Sequence, residues 1–195
     1  MAKFFNYTKP FEVFSKVGAA LPGFQTTLAP QPIVFAAIAD EDLEAGQLVE
    51  VAKSNGVFKV KHCTAAAKAA GIVLADVHAQ IVREGLGNQQ IFAFAKGQTV
   101  SVMREGYVWV PVQDATPTIT RDAAIYVRIA ADSGNDAALI GGIESASVAS
   151  ETAQVTGIVW TGNYGFPETG QNNGSTETYG ATGRTAEVKV QLGLL

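Results

Sequence analysis

The chain has 195 residues and a formal net charge of −4, with 47% hydrophobic but only 16% charged residues, against about a quarter charged in an average domain. Enough apolar material is present for a sizeable core, while the acidic balance and the lack of any Lys/Arg cluster argue against a nucleic-acid groove, which carries a basic stripe. The single cysteine, Cys63, excludes an intrachain disulfide.

Residues 1–32 stand apart. Phe4, Phe5, Tyr7, Phe11, Phe14 and Phe24 sit among Pro10, Pro22, Pro30 and Pro32 without helical or strand periodicity. The prolines favour extended backbone and break helices. A disordered tail is poor in aromatics, and this segment is rich in them. It reads as an extended N-terminal arm whose aromatic side chains bury against this subunit or a neighbour, ahead of a β domain over 33–195. No basic region followed by an apolar run marks a secretory leader. The longest apolar run, Ile33 to Ala39, falls far below the roughly 20 residues of a membrane helix. The expectation is a soluble protein made in a cytoplasm, without membrane contact.

Ile33–Ala39 reads as a buried strand, and Asp40 to Gly46 as a solvated acidic turn that lacks the ordered oxygen spacing of a calcium loop. Gln47–Lys53 and Val57–Lys61 flank Asn55-Gly56, the strongest hairpin signal in the chain. A two-residue loop there sets Val51 opposite Val60 and Glu50 opposite Lys61, a favourable cross-strand charge pair. Thr64–Ala70 is alanine-rich and ends at Gly71, which predicts a short helical turn. From Val100 to Val112 the apolar residues recur at every second position, the period of a half-buried strand. A three-residue loop at Arg104-Glu105-Gly106 would fold this stretch into a hairpin with Val102 opposite Val108 and Val100 opposite Val110. Tyr107 and Trp109 would then share the opposite face with Met103. Ile125, Val127 and Ile129 supply a further inward face, and Leu139–Ile143 and Thr156–Trp160 read as strands. Thr161 to Arg184 is built from Gly, Asn, Thr, Ser and Glu, punctuated by Tyr164, Phe166 and Tyr179. A loop beyond about 12–15 residues in a compact domain is functional or disordered. Ala186–Leu192 closes the chain with Val188, Val190 and Leu192 alternating against Glu187, Lys189 and Gln191. The fold class is mainly β: a small antiparallel barrel or sandwich with an extended arm and a long Gly/Asn/Thr-rich loop before the last strand.

Catalytic constellations are scarce. His62 and Cys63 are sequence neighbours, which a strand sends to opposite faces, and no nucleophile signature surrounds the cysteine. Two separated histidines and one cysteine make a poor metal set. No phosphate loop, dinucleotide fingerprint or nucleophile elbow occurs. The residues point to no catalytic site, metal or cofactor.

The succession Gly46-Gln47-Leu48-Val49-Glu50-Val51 with Asn55-Gly56, Gly71-Ile72-Val73-Leu74, Gln80-Ile81-Val82, Phe94 to Val102, Gly106-Tyr107-Val108-Trp109-Val110 and Ala124-Ile125-Tyr126-Val127-Arg128 resembles the head decoration, or structural cement, proteins of tailed bacteriophages. The resemblance covers residues 33–130, with an echo at the C-terminal strand, while the 161–184 loop exceeds the family pattern. It implies a non-enzymatic virion protein on the capsid exterior that binds the major capsid protein, bridges neighbouring subunits and forms a homo-oligomer, a trimer foremost. The side chains expected to contact partners are Phe4, Phe5, Phe11, Phe14 and Phe24 of the arm and Tyr164, Phe166 and Tyr179 of the loop. Other classes compete: a tail or baseplate β-protein, a carbohydrate-binding module stacking sugars on Tyr107, Trp109, Trp160 or Tyr164, and a small hydrolase.

Overall fold

The computed structural model describes residues 23–26, 31–54, 56–75, 81–84, 90–113, 119–131, 139–165 and 185–193. Among these residues twelve strands follow one another: β1 (Ile33–Ala39), β2 (Leu43–Glu44), β3 (Leu48–Ser54), β4 (Val57–His62), β5 (Ala69–Val73), β6 (Ile81–Glu84), β7 (Gln90–Phe94), β8 (Thr99–Pro111), β9 (Ala124–Arg128), β10 (Ile143–Glu144), β11 (Thr152–Gly165) and β12 (Thr185–Gln191). The mainly β class is as expected.

Strand pairing builds two rings on one shared strand. In the first, the order β1-β4-β3-β5-β8 closes because β1 also pairs with β8, which removes free sheet edges as barrels do. In the second, β8-β12-β11-β9-β10 returns to the end of β8 through a bridge between Val112 and Ile143. β2, β7 and β6 form a separate three-stranded sheet. Each ring has its own core. Ala37, Ala39, Val49, Val60, Val73, Phe94, Val100 and Val102 fill the first. Leu48, Ile72, Met103, Val108, Val110, Ile125, Val127, Ile158, Trp160, Val188 and Val190 belong to the second.

The expected hairpin at Arg104–Gly106 does not form. Thr99–Pro111 is one continuous strand, roughly 40 Å long at about 3.3 Å per residue. Its pairing with β1 jumps from Glu105 opposite Ile33 to Met103 opposite Val34, so Arg104 is the extra residue of a bulge. The bulge explains the alternation that suggested a turn. Val102 faces the first core, whereas Met103 and Val108 both face the second. An odd separation can share a face only if the period of two is broken between them. Hence Met103 joins the valines instead of opposing them. Gly106 adopts φ +138, and a Cβ there would lie 3.1 Å from Met103 Sδ and 3.2 Å from Pro32 Cβ. The glycine is required by the crossing chain as well as by the backbone.

Other expectations hold or shift. The β3–β4 register sets Val51 opposite Val60 and Glu50 opposite Lys61, as the two-residue loop requires, and Gly56 has φ +79. The helical turn shrinks to a 3-10 turn at Ala66–Lys68. Gly71 is not its cap but lies within β5, where a Cβ would come 2.4 Å from the Met103 carbonyl oxygen. Leu139–Ile143 contributes only its last residue to β10.

Candidate contact surface

The end of the N-terminal segment is rooted in the sheet. β5 stops at Val73, leaving one side of β8 open at Tyr107–Trp109, and residues 23–26 fill it. The Gly23 N–H donates to the Trp109 carbonyl at 2.7 Å, the Trp109 N–H to the Phe24 carbonyl at 3.0 Å, and the Thr26 N–H to the Tyr107 carbonyl at 3.1 Å. Gln25 bridges Val108 in antiparallel sense. The Phe24 ring stands 5.7 Å from that of Phe92.

One carboxylate ties this root to the start of the long loop. Glu187, expected to face outward from β12, is buried. It accepts hydrogen bonds from the hydroxyl of Thr26, the hydroxyl of Thr161 at 2.8 Å and the side-chain amide of Asn163 at 2.6 Å. A buried carboxylate is tolerated when its lone pairs are filled, and here three donors fill them. The same contacts explain why β11 runs on to Gly165, past the composition shift at Thr161. Tyr164 pairs with Ala186 and Gly165 with Thr185.

A third feature is an apolar rim on the first ring. Ile33, Val34, Val57 and Phe58 are exposed at 52%, 38%, 45% and 44%, and the Phe58 ring contacts that of Phe35 at 6.3 Å. Scattered exposed aliphatics are ordinary, but grouped ones mark contact surfaces.

The polar groups serve structure. His62 Nδ1 lies 2.9 Å from Glu41 Oε1 and its Nε2 3.2 Å from Oε1 of the Gln47 side-chain amide. The Cys63 thiol donates to the Ala65 carbonyl at 3.3 Å, and burial pushes its pKa up to about 11, far from a nucleophile's. The acidic turn is bound rather than simply solvated: Asp40 pairs with Lys59 at 3.3 Å, and Asp42 accepts the Lys96 N–H at 2.9 Å. Burial acts to raise the pKa of Glu50, but the Thr64 N–H and hydroxyl and Lys61 at 3.2 Å outweigh it and leave the pKa lowered. Arg128 is buried between Glu144 at 2.5 Å and Glu151 at 2.9 Å. Among the described residues no group of three His, Cys, Asp or Glu side chains is placed to hold a metal. Trp109 and Trp160 are buried, so neither presents the open face that stacking on a sugar requires.

The model of the structural cement protein family (E217 gp24/Pam3 gp6) matches residues 13–191. The chain belongs to the phage structural cement protein family. This cement protein is therefore a structural component of a virion, and the family's role is structural rather than catalytic. A chain of the solved capsid of Myoviridae phage XM1 is 18% identical, covers 97% of this chain and 98% of its own, and superimposes with a TM-score of 0.57, so the two share a fold. The head fiber gp8.5 N base of bacteriophage phi29 aligns at 11% identity over 85% of this chain and 99% of its own, with a TM-score of 0.38. No curated protein matches.

Of the side chains expected to contact partners, Phe24 is half-buried against Phe92, and the backbone of Tyr164 lies in β11. Phe4, Phe5, Phe11, Phe14, Phe166 and Tyr179 lie outside the described residues. Sequence reasoning missed Glu187, whose place in an alternating strand reads as solvent-facing, and the apolar rim. The signal for the rim was Val57-Phe58 directly after a tight turn, an uneconomical place for two large apolar residues.

Proposed function

We propose that this protein binds the outer surface of a phage capsid lattice and cements neighbouring major capsid subunits. The observation that carries this reading is the convergence of the arm root and the loop root on Glu187. Residues 1–32 form an arm and 33–195 a rigid body, and the arm and the long loop leave that body together as its two contact elements. Phe4, Phe5, Phe11 and Phe14 of the arm, and Tyr164, Phe166 and Tyr179 of the loop, bury against capsid subunits or a neighbouring copy. Phe24 holds the arm's base. The protein works as a homo-oligomer, a trimer foremost, with no catalytic step. Family membership supports the reading, as does the closed double ring, which suits a body that transmits load. Many copies bound at once gain avidity, so no single interface has to be exceptionally tight.

Capsids lacking the protein test this directly. Adding back the full chain should restore ordered density on the outer capsid surface in cryo-EM maps and raise the temperature at which the shells rupture. Density on the tail, or shells that rupture at an unchanged temperature, would overturn the proposal.

A further inference from the structure

Among the described residues the buried charges have counter-groups, with one exception. Arg128 lies between Glu144 and Glu151, Glu50 meets Lys61, and Glu187 accepts from three donors. Arg104 is only 9% exposed, yet among the described residues its guanidinium has no ion-pair or hydrogen-bond partner. A buried cation left unpaired is costly, and native folds leave few such groups without a reason. The side-chain atoms sealed off without a partner are Trp109 Nε1, Trp160 Nε1 and Thr185 Oγ1. The guanidinium nitrogens are not among them, so they reach the surface although the rest of the side chain is covered.

Arg104 owes this position to the bulge in β8. No residue of β1 opposes it, and its carbonyl accepts the Leu192 N–H at 3.0 Å. The backbone is thus fixed while the side chain is re-aimed, which is what bulges do beside functional surfaces. Glu105 follows on the face opposite Val108. It is exposed, and it too lacks a partner among the described residues. Ile33, its neighbour across the β1–β8 pairing, is exposed at 52%. The bulge therefore presents a cation and a carboxylate on adjacent residues, neither satisfied within the chain, beside an apolar side chain. Such a patch is complementary to itself. Where the bulges of two copies face one another, each Arg104 meets the other copy's Glu105, and the contact closes instead of propagating. Around a three-fold axis the same pairing runs from each copy to the next. A guanidinium fork matches the two oxygens of a carboxylate, and covering Ile33 excludes water, which strengthens the pair. We infer that the bulge is a copy-to-copy contact in which the Arg104 guanidinium takes the Glu105 carboxylate of a second copy. This rests on the homo-oligomer of the cementing reading, of which it names one contact.

The test uses the full chain and charge reversal. Arg104→Glu and Glu105→Arg should each weaken self-association in sedimentation equilibrium at least about tenfold. The double variant Arg104→Glu/Glu105→Arg restores opposite charges across the contact and should return to within about threefold of wild type. Mixing the two single variants should likewise restore association, because each supplies the charge the other lacks; a purely structural role for Arg104 gives no such rescue. Should Arg104→Glu fail to fold, Glu105→Arg makes the measurement at an exposed position and must still weaken association. A monomeric wild type, single variants that associate like wild type, or a double variant no better than the singles overturns the inference. Single variants that keep self-association but lose capsid binding also overturn it, giving Arg104 to a carboxylate of the shell and leaving cementing intact. Rescue of self-association by charge reversal in a protein that binds no capsid supports the inference and sinks cementing instead.

Discussion

Gly106 offers the sharpest test of the double-ring fold, because the bulged strand and the rejected hairpin assign it different neighbours. Its φ of +138 is strained for any L side chain, and leaving the favoured regions costs about 1–3 kcal/mol. An added Cβ would also press on Met103 and Pro32 at 3.1 to 3.2 Å, and overpacking typically costs about 1–3 kcal/mol more. Gly97 separates the two contributions: its φ is +89, yet a Cβ there would meet nothing within 4 Å. Gly97→Ala should therefore cost only the backbone strain, about 1–2 kcal/mol, and Gly106→Ala about 2–4 kcal/mol. For a chain of this length, each kcal/mol lowers Tm by about 2–4 °C. Urea unfolding of both variants, with m-values compared to confirm like transitions, gives the two numbers. Equal losses at the two positions would refute the crossing of the chain over Gly106 and reopen the hairpin.

Three further outcomes follow from the buried polar groups. Because the folded pKa of Glu50 is lowered below its ordinary 4.5, its contribution to stability is present above that value and is lost as pH falls through the folded pKa. The urea midpoint of wild type should thus drop more steeply below about pH 4.5 than that of Glu50→Gln. Arg128→Met strands Glu144 and Glu151 without their shared cation and should cost about 3–5 kcal/mol in chemical denaturation, whereas the Arg128→Met/Glu144→Leu double variant should recover part of the loss. Cys63 should resist an aromatic disulfide reagent at pH 8 in the native protein and react promptly in urea, since its thiol is buried with its pKa pushed up to about 11.

What was legible in the sequence was what the local period controls. The β3–β4 hairpin was readable to the residue because a two-residue loop fixes register on both faces, and Glu50–Lys61 fell into place with it. β1 and β12 were readable as strands from apolar runs and alternation, although the first half of β1 is largely exposed where its apolar run suggested a buried strand. What escaped was decided by long-range pairing. The period of β8 records that alternate residues are buried, but not that two cores share the strand. A glycine in an alternating run fits a turn or a bulge equally well until the partner strand is known. Glu187 alternates like a surface residue, and only Thr26, Thr161 and Asn163, 161, 26 and 24 positions away in sequence, show that it is buried.

The arrangement also explains how so lightly charged a chain is held together as one body. Closing both rings on β8 satisfies nearly all of its backbone on both sides, by β1 then β12 on one and by β5 then residues 23–26 on the other. The last of these partners is the base of the segment that precedes it. Pulling on residues 1–22 therefore loads a strand pairing at the middle of the body rather than a frayed end, and the force passes through Thr26 to Glu187 and into β12. Antiparallel hydrogen bonds lying across the direction of pull must break together rather than one by one.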